Sequence, residues 1–231
     1  MAMFIKPLFR DRHEAGRILG QRVLRIIRDD SAVVLALPRG GVPVGFEVAQ
    51  ALHADLDIFL VRKLGVPGHE EVAMGAIASG GIRVLKHSLI AQLGLTPDIV
   101  EAVTAAERLE LARREALYRE GRPSIPLQGR TAILVDDGLA TGSTMMAAAR
   151  ALRAQGPKRI VVAVPVASAE ACEDIRARVD EIVCAFTPEP FYAVGLWYED
   201  FSQTTDDEVR ELLDKARNET RQTNQRELTH A

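Results

Sequence analysis

The run Ala132-Ile133-Leu134-Val135-Asp136-Asp137-Gly138-Leu139-Ala140-Thr141-Gly142-Ser143-Thr144 leaves few folds open to this chain. An unbroken apolar stretch ends in two adjacent carboxylates and a glycine turn rich in hydroxyls, and residues 145–152, mostly alanine and leucine, then read as a helix. Residues 132–135 contain no polar alternate, so the strand they predict is covered on both faces, as in a parallel sheet flanked by helices. The turn then lies at the carboxyl end of a strand, where open α/β sheets bind ligands.

Backbone N–H groups from Thr141 to Thr144, together with the positive end of the new helix, converge on one small volume that suits a phosphate dianion. Gly142 lets the chain approach the anion, and the hydroxyls of Thr141, Ser143 and Thr144 add donors. Asp136 and Asp137 repel each other and are costly to bury unless hydroxyl donors or a cation satisfy them. A ribose diol with a magnesium ion supplies both. An ordinary capped turn has no need of Asp-Asp at the end of a buried strand.

The rest of the chain repeats the strand–helix alternation. Strands are predicted at 32–37, 57–61, 132–135, 160–164 and 181–185, with helices at 42–52, 143–153 and 169–178, which makes a doubly wound, mostly parallel five-stranded α/β sheet. Right-handed connections bring the loops that follow the strands to one edge. Asp11 caps a first helix reaching about residue 28. Residues 72–77 and 82–85 form an edge hairpin across Ser79-Gly80-Gly81. Thr96-Pro97 opens a long helical insertion, about 96–121, with Glu110–Arg114 and Glu115–Arg119 spaced as ion pairs on a solvated face. Thr205 and Glu208 make a capping box for a last helix to about 217, and 218–231 reads as a frayed tail. The chain is organised as a single domain with a core of about 30–190 and a small hood from 1–29 and 186–217.

A second anion cradle follows the first core strand, where Pro38-Arg39-Gly40-Gly41 precedes a helix opened by Pro43. Arg62 and Lys63 end the next strand at the same edge, and residues 65–71 read as a mobile loop able to close over the site. Six of the eleven aromatics gather after the last strand, in 186–201.

Composition narrows the partners. At 231 residues, 47% of them apolar, with a formal net charge of −3, the chain can fill one sizeable core and has no electrostatic footprint for nucleic acid. With no apolar run of the ~20 residues that span a bilayer, and no apolar signal core, a cytoplasmic location is expected. Cys172 and Cys184 lack metal-ligand spacing and read as packed, reduced thiols.

The run 132–144 resembles the signature of the type I phosphoribosyltransferases, enzymes that use phosphoribosyl pyrophosphate (PRPP). The resemblance implies that Asp136 and Asp137 hold the ribose hydroxyls, touching Mg2+ only through PRPP or water, and that Ala140, Thr141, Gly142, Ser143 and Thr144 hold the 5-phosphate. By the same resemblance Pro38, Arg39, Gly40 and Gly41 grip the pyrophosphate, in a loop where members often carry a non-proline cis peptide, and Arg62 and Lys63 neutralise it as it leaves. Asp136, Asp137, Arg39 and Lys63 are then the catalytic set. Residues 191–195, followed by Trp197 and Glu199, correspond to the stretch that approaches the nucleobase in purine-salvage members.

The implied activity is a Mg2+-PRPP-dependent pentosyl transfer to a nitrogenous acceptor, such as a nucleobase in salvage, with release of pyrophosphate, by a homodimer. Ala140 stands where hypoxanthine-guanine members carry an aspartate, which argues against those two acceptors unless another acid such as Glu199 substitutes. With Phe9-Arg10-Asp11-Arg12-His13-Glu14-Ala15-Gly16 at its start, the whole chain resembles most the bacterial predicted phosphoribosyltransferases without an assigned acceptor. A PRPP sensor without turnover, and an enzyme that hydrolyses PRPP or uses a non-base acceptor, remain alternatives.

Overall fold

The computed structural model describes residues 6–29 and 31–230, with side chains through 220. In chain order the elements are α1 (Arg12–Ile26), β1 (Val33–Ala36), α2 (Gly41–Leu52), β2 (Asp55–Ile58), β3 (Val61–Val66), β4 (His69–Ala78), β5 (Ile82–Leu85), α3 (His87–Gln92), α4 (Pro97–Arg119), β6 (Thr131–Val135), α5 (Ser143–Arg153), β7 (Arg159–Val166), α6 (Ala169–Arg176), β8 (Glu181–Phe186) and α7 (Asp206–His230). A short 3-10 turn, Val194–Trp197, lies between β8 and α7.

Five strands pair in parallel in the order β2-β1-β6-β7-β8, the doubly wound sheet that the alternation predicts. Its apolar runs are buried on both faces. Val34, Ala36, Ile133 and Val135 point into one core layer with α1, α2 and α7, while Val33, Leu35, Ala132 and Leu134 point into the other with α5 and α6. β1 and β6 are central neighbours, with Ala36 opposite Val135, so the loops that follow them emerge side by side.

Capping side chains set where the helices start. Asp11 caps α1 by accepting from Glu14 N–H at 2.7 Å, Thr96 caps α4 ahead of Pro97, and Thr205 Oγ1 accepts from Glu208 N–H at 3.1 Å. The last helix runs past the expected stop near 217 and ends at His230.

Four further sequence expectations change. The strand expected at 57–61 is instead β2 followed by a break at Phe59 and Leu60, and Val61 opens a new strand. That strand joins the hairpin to form an antiparallel sheet β3-β4-β5, tied to the break where Ser79 N–H donates to Leu60 O at 2.9 Å. The expected mobile loop 65–71 is mostly strand, closed by a tight turn at Pro67 and Gly68. Arg119 does not pair with Glu115 on a solvated face: it is buried and bonds Asp57 on β2 at 2.6 Å, because the end of α4 packs against the sheet edge. Cys172 and Cys184 are joined in a disulfide, since the chain doubles back from α6 into β8 and sets the two sulfurs together.

Candidate functional site

Three segments meet at the carboxyl edge of the central strands. β6 delivers Asp136 and Asp137. The loop after β1, residues 38–41, lies directly against them: a Cβ on Gly40 would stand 2.0 Å from Asp137 Oδ2, and one on Gly41 would stand 2.8 Å from Val135 O and 3.2 Å from Asp136 Oδ1. A Cβ at either place forces a neighbour to shift, the Asp137 carboxylate at Gly40 and the β6 backbone at Gly41. The Pro38–Arg39 peptide is cis. The glycines therefore bring bare backbone to within contact of the acidic pair.

The third segment is the turn into α5. Gly142 takes the left-handed conformation (φ 67°), and Ser143 begins the helix. Leu139 N–H donates to Val166 O at 3.0 Å, and Ser168 Oγ donates to Ala140 O at 2.8 Å, so the end of β7 holds the turn from behind. Ala140, Thr141 and Thr144 are exposed, and Ser143 is half-buried.

The two acids are short of partners. Asp136 Oδ1 accepts the Asp137 N–H at 2.9 Å, and Asp137 Oδ2 accepts Arg12 Nε at 2.9 Å, so one guanidinium faces two carboxylates. Burial, and then the charge of Asp137, hold the Asp136 carboxyl well above the usual carboxylate range. Burial also raises Asp137, against the opposing charge of Arg12. Arg12 is itself fixed from two other sides, donating to Ser202 O at 2.7 Å and stacking 3.9 Å from the Phe201 ring centroid. Tyr198 donates its hydroxyl to Asp137 O, and burial and then Asp137 raise its pKa.

The other residues expected at the site divide. Lys63 donates from Nζ to Ser143 Oγ at 3.3 Å, which brings it to the turn. Arg62 precedes it on the strand, points to the opposite face and donates to Glu107 of α4 at 2.6 Å. Arg39 lies 3.8 Å from Asp206 Oδ1 at the start of α7, an oxygen that also accepts the Tyr118 hydroxyl at 2.6 Å. Trp197 does not offer a stacking face: it is 7% exposed and packs with Phe9, Ala15, Val166 and Tyr198. Glu199 is exposed.

Arg12, Tyr198 and Phe201 were not singled out from the sequence. Two adjacent carboxylates do require a counter-charge, but nothing local says that α1 supplies it.

A family model described as a phosphoribosyl transferase domain matches residues 11–192. The chain belongs to the phosphoribosyltransferase family. Two Mycobacterium tuberculosis proteins, of strains CDC 1551 / Oshkosh and ATCC 25618 / H37Rv, provisionally named phosphoribosyl transferases, are each 47% identical over 209 residues, 90% of this chain and 47% of their own. The chain thus spans about half the length of the curated relatives it matches. The crystal structure of TT1426 from Thermus thermophilus superposes with a TM-score of 0.82 at 44% identity, covering 89% of this chain and 97% of that one. Among the described residues no helix is long and apolar enough to cross a membrane.

Proposed function

We propose that this phosphoribosyltransferase transfers the 5-phosphoribosyl group of PRPP to a nitrogenous acceptor, with release of pyrophosphate. The observation that carries the reading is the contact between the two motifs, with the backbone of Gly40 and Gly41 pressed onto Asp136 and Asp137. A donor with a diol and a pyrophosphate on adjacent carbons needs an acidic pair and a bare anion cradle in contact, and a generic phosphosugar does not.

In this reading the turn 141–144 holds the 5-phosphate, and the open oxygens of Asp136 and Asp137 accept from the ribose hydroxyls. The bond from the anomeric carbon to oxygen breaks, pyrophosphate leaves with the electron pair, and an acceptor nitrogen forms the new bond and gives up its proton. Asp136 and Asp137 face the positive charge that develops on the ribose and favour it electrostatically. Arg39, Lys63 and the N–H groups of the glycine loop hold the leaving group, and positioning supplies much of the rest.

Magnesium fits this donor set. Two half-buried carboxylates share one guanidinium, which leaves the pair short of positive charge and of hydroxyl donors, and hard oxygen ligands suit a cation held mainly by substrate and water. When bound, the ion would neutralise pyrophosphate oxygens. Arg62, engaged with Glu107, and Trp197, packed in the core, take no part here. Phe201 is stacked on Arg12 and, unlike the buried Tyr198, is partly exposed, which makes it the candidate for stacking on an acceptor.

Incubation with magnesium and PRPP plus a panel of bases, scored by pyrophosphate release, tests the proposal. Release that depends on one class of base supports it. Release without any base means hydrolysis, and tight PRPP binding without release means a sensor.

A further inference from the structure

α5 has two faces. Met145, Ala148, Ala149 and Leu152 are buried against the sheet, while Ser143, Met146, Ala147 and Arg150 follow at helical spacing on a face that lines a cavity of about 420 Å³. The opposite wall is the antiparallel sheet, where Ala73, Gly75 and Ala76 leave the floor open, and Val84 from the sheet faces Met146 from α5 as apolar lining. The volume is within the range of small-molecule sites.

The rim is mostly cationic. Lys63, Lys86, Arg150 and Arg178 line the cavity against a single carboxylate, Glu71, in a chain whose net charge is −3. Among the described residues Lys86 and Arg150 have no carboxylate partner. Lys63 donates to the Ser143 hydroxyl, and Arg178 to the carbonyl of Asp174. Like charges gathered around a hollow repel one another and are held there at a cost in stability, which a bound anion removes.

We propose that this cavity is a second binding site, distinct from the acidic pair, for a phosphorylated small molecule of nucleotide size. The cationic rim takes the phosphoryl groups and the small-residue floor takes the apolar body. The cavity meets the proposed donor site at Lys63 and Ser143, so its occupant is placed to influence the 5-phosphate turn. Its main anchors, Lys86 and Arg150, lie outside the donor machinery. Arg150 is two helical turns from Ser143, roughly 10 Å along the axis. The limited volume and the negative net charge favour a small molecule over a nucleic acid, which needs an extended basic track.

Calorimetric titration with ATP and with inorganic tripolyphosphate, neither with magnesium, tests the site on the full chain. Both probes bind the unaltered protein, ATP more tightly because the floor contributes. The pair K86E with R150E, both exposed and so compatible with the fold, raises both dissociation constants by about tenfold or more. The pair Asp136→Asn with Asp137→Asn changes them by less than about twofold, which separates this site from the donor reading. The proposal is overturned if neither probe binds, if the charge reversals leave binding unchanged, if only the acidic-pair variant removes it, or if tripolyphosphate binds as tightly as ATP. A single-stranded oligonucleotide that binds at least as tightly as ATP and is lost with the same charge reversals would also overturn it, in favour of a nucleic-acid surface.

Discussion

Two aspartate–arginine pairs of this chain, one buried at Asp57 and one half-buried at Asp137, are built to opposite ends. Asp57 Oδ2 on β2 accepts Arg119 at 2.6 Å and the Ile125 N–H at 3.1 Å, and its other oxygen accepts the Ile58 N–H at 2.8 Å. Both oxygens of that carboxylate are occupied by the protein. At the end of β6 two carboxylates share one guanidinium and one N–H, and burial raises both pKa values. A satisfied buried acid holds elements together, and an unsatisfied pair is held ready for something that arrives.

The sharpest way to break this contrast is to neutralise the pair. Asp136→Asn with Asp137→Asn should lower PRPP-dependent pyrophosphate release by about a thousandfold or more, roughly 4 kcal/mol of barrier, while circular dichroism stays native. Full activity in that double variant would remove the donor site from β6.

Breaking the satisfied acid should act on stability instead. Arg119→Ala leaves Asp57 buried without its counter-charge, at a cost of about 3–5 kcal/mol in urea unfolding, with turnover per folded molecule unchanged. A loss of turnover with stability intact would reverse the assignments of the two sites.

Gly40→Ala probes the contact between the loops. Gly40 has helical angles (φ −58°, ψ −30°), so alanine suits the backbone, and the collision with Asp137 is what remains. The expected result is a rise in KM for PRPP of about tenfold or more, with about 1–3 kcal/mol lost from overpacking.

The smallest effect has the most telling sign. A carboxyl whose native pKa lies above its unfolded value near 3.8 contributes stability below that value, and the contribution is lost as pH rises through the native pKa. Asp136→Asn should therefore stabilise the ligand-free protein at neutral pH by about 1 kcal/mol, roughly 2–4 °C in Tm, and flatten the fall in Tm with rising pH. A destabilised Asp136→Asn would mean that the carboxylate is already satisfied.

The same contrast explains what the sequence made legible. The five parallel strands follow from apolar runs bounded by glycine turns, and the acidic pair and Pro38-Arg39-Gly40-Gly41 follow from residue types that a phosphosugar requires. Arg119 could not be placed, since its partner is 62 positions away and helical spacing offered Glu115 as a nearer one. Arg12 was missed for a similar reason, with a partner 125 positions distant. Trp197 lies in an aromatic cluster that suits a stacking platform or a core equally, and burial decides it. Lys63 and Arg62 separate only once the strand is known to begin at Val61, because alternation then sends them to opposite faces.

Arg12 spans 125 positions to Asp137 and 190 to Ser202, while Tyr198 reaches back 61 positions to the same aspartate. During synthesis the sheet can assemble as its strands emerge, yet Tyr198, and the Phe201 ring and Ser202 carbonyl that fix Arg12, reach the acidic pair only once residue 202 is free of the ribosome. The acidic pair is thus finished after every strand of the sheet and just ahead of α7, and any chain interrupted before residue 198 carries the motif without its tyrosine and without the groups that fix Arg12.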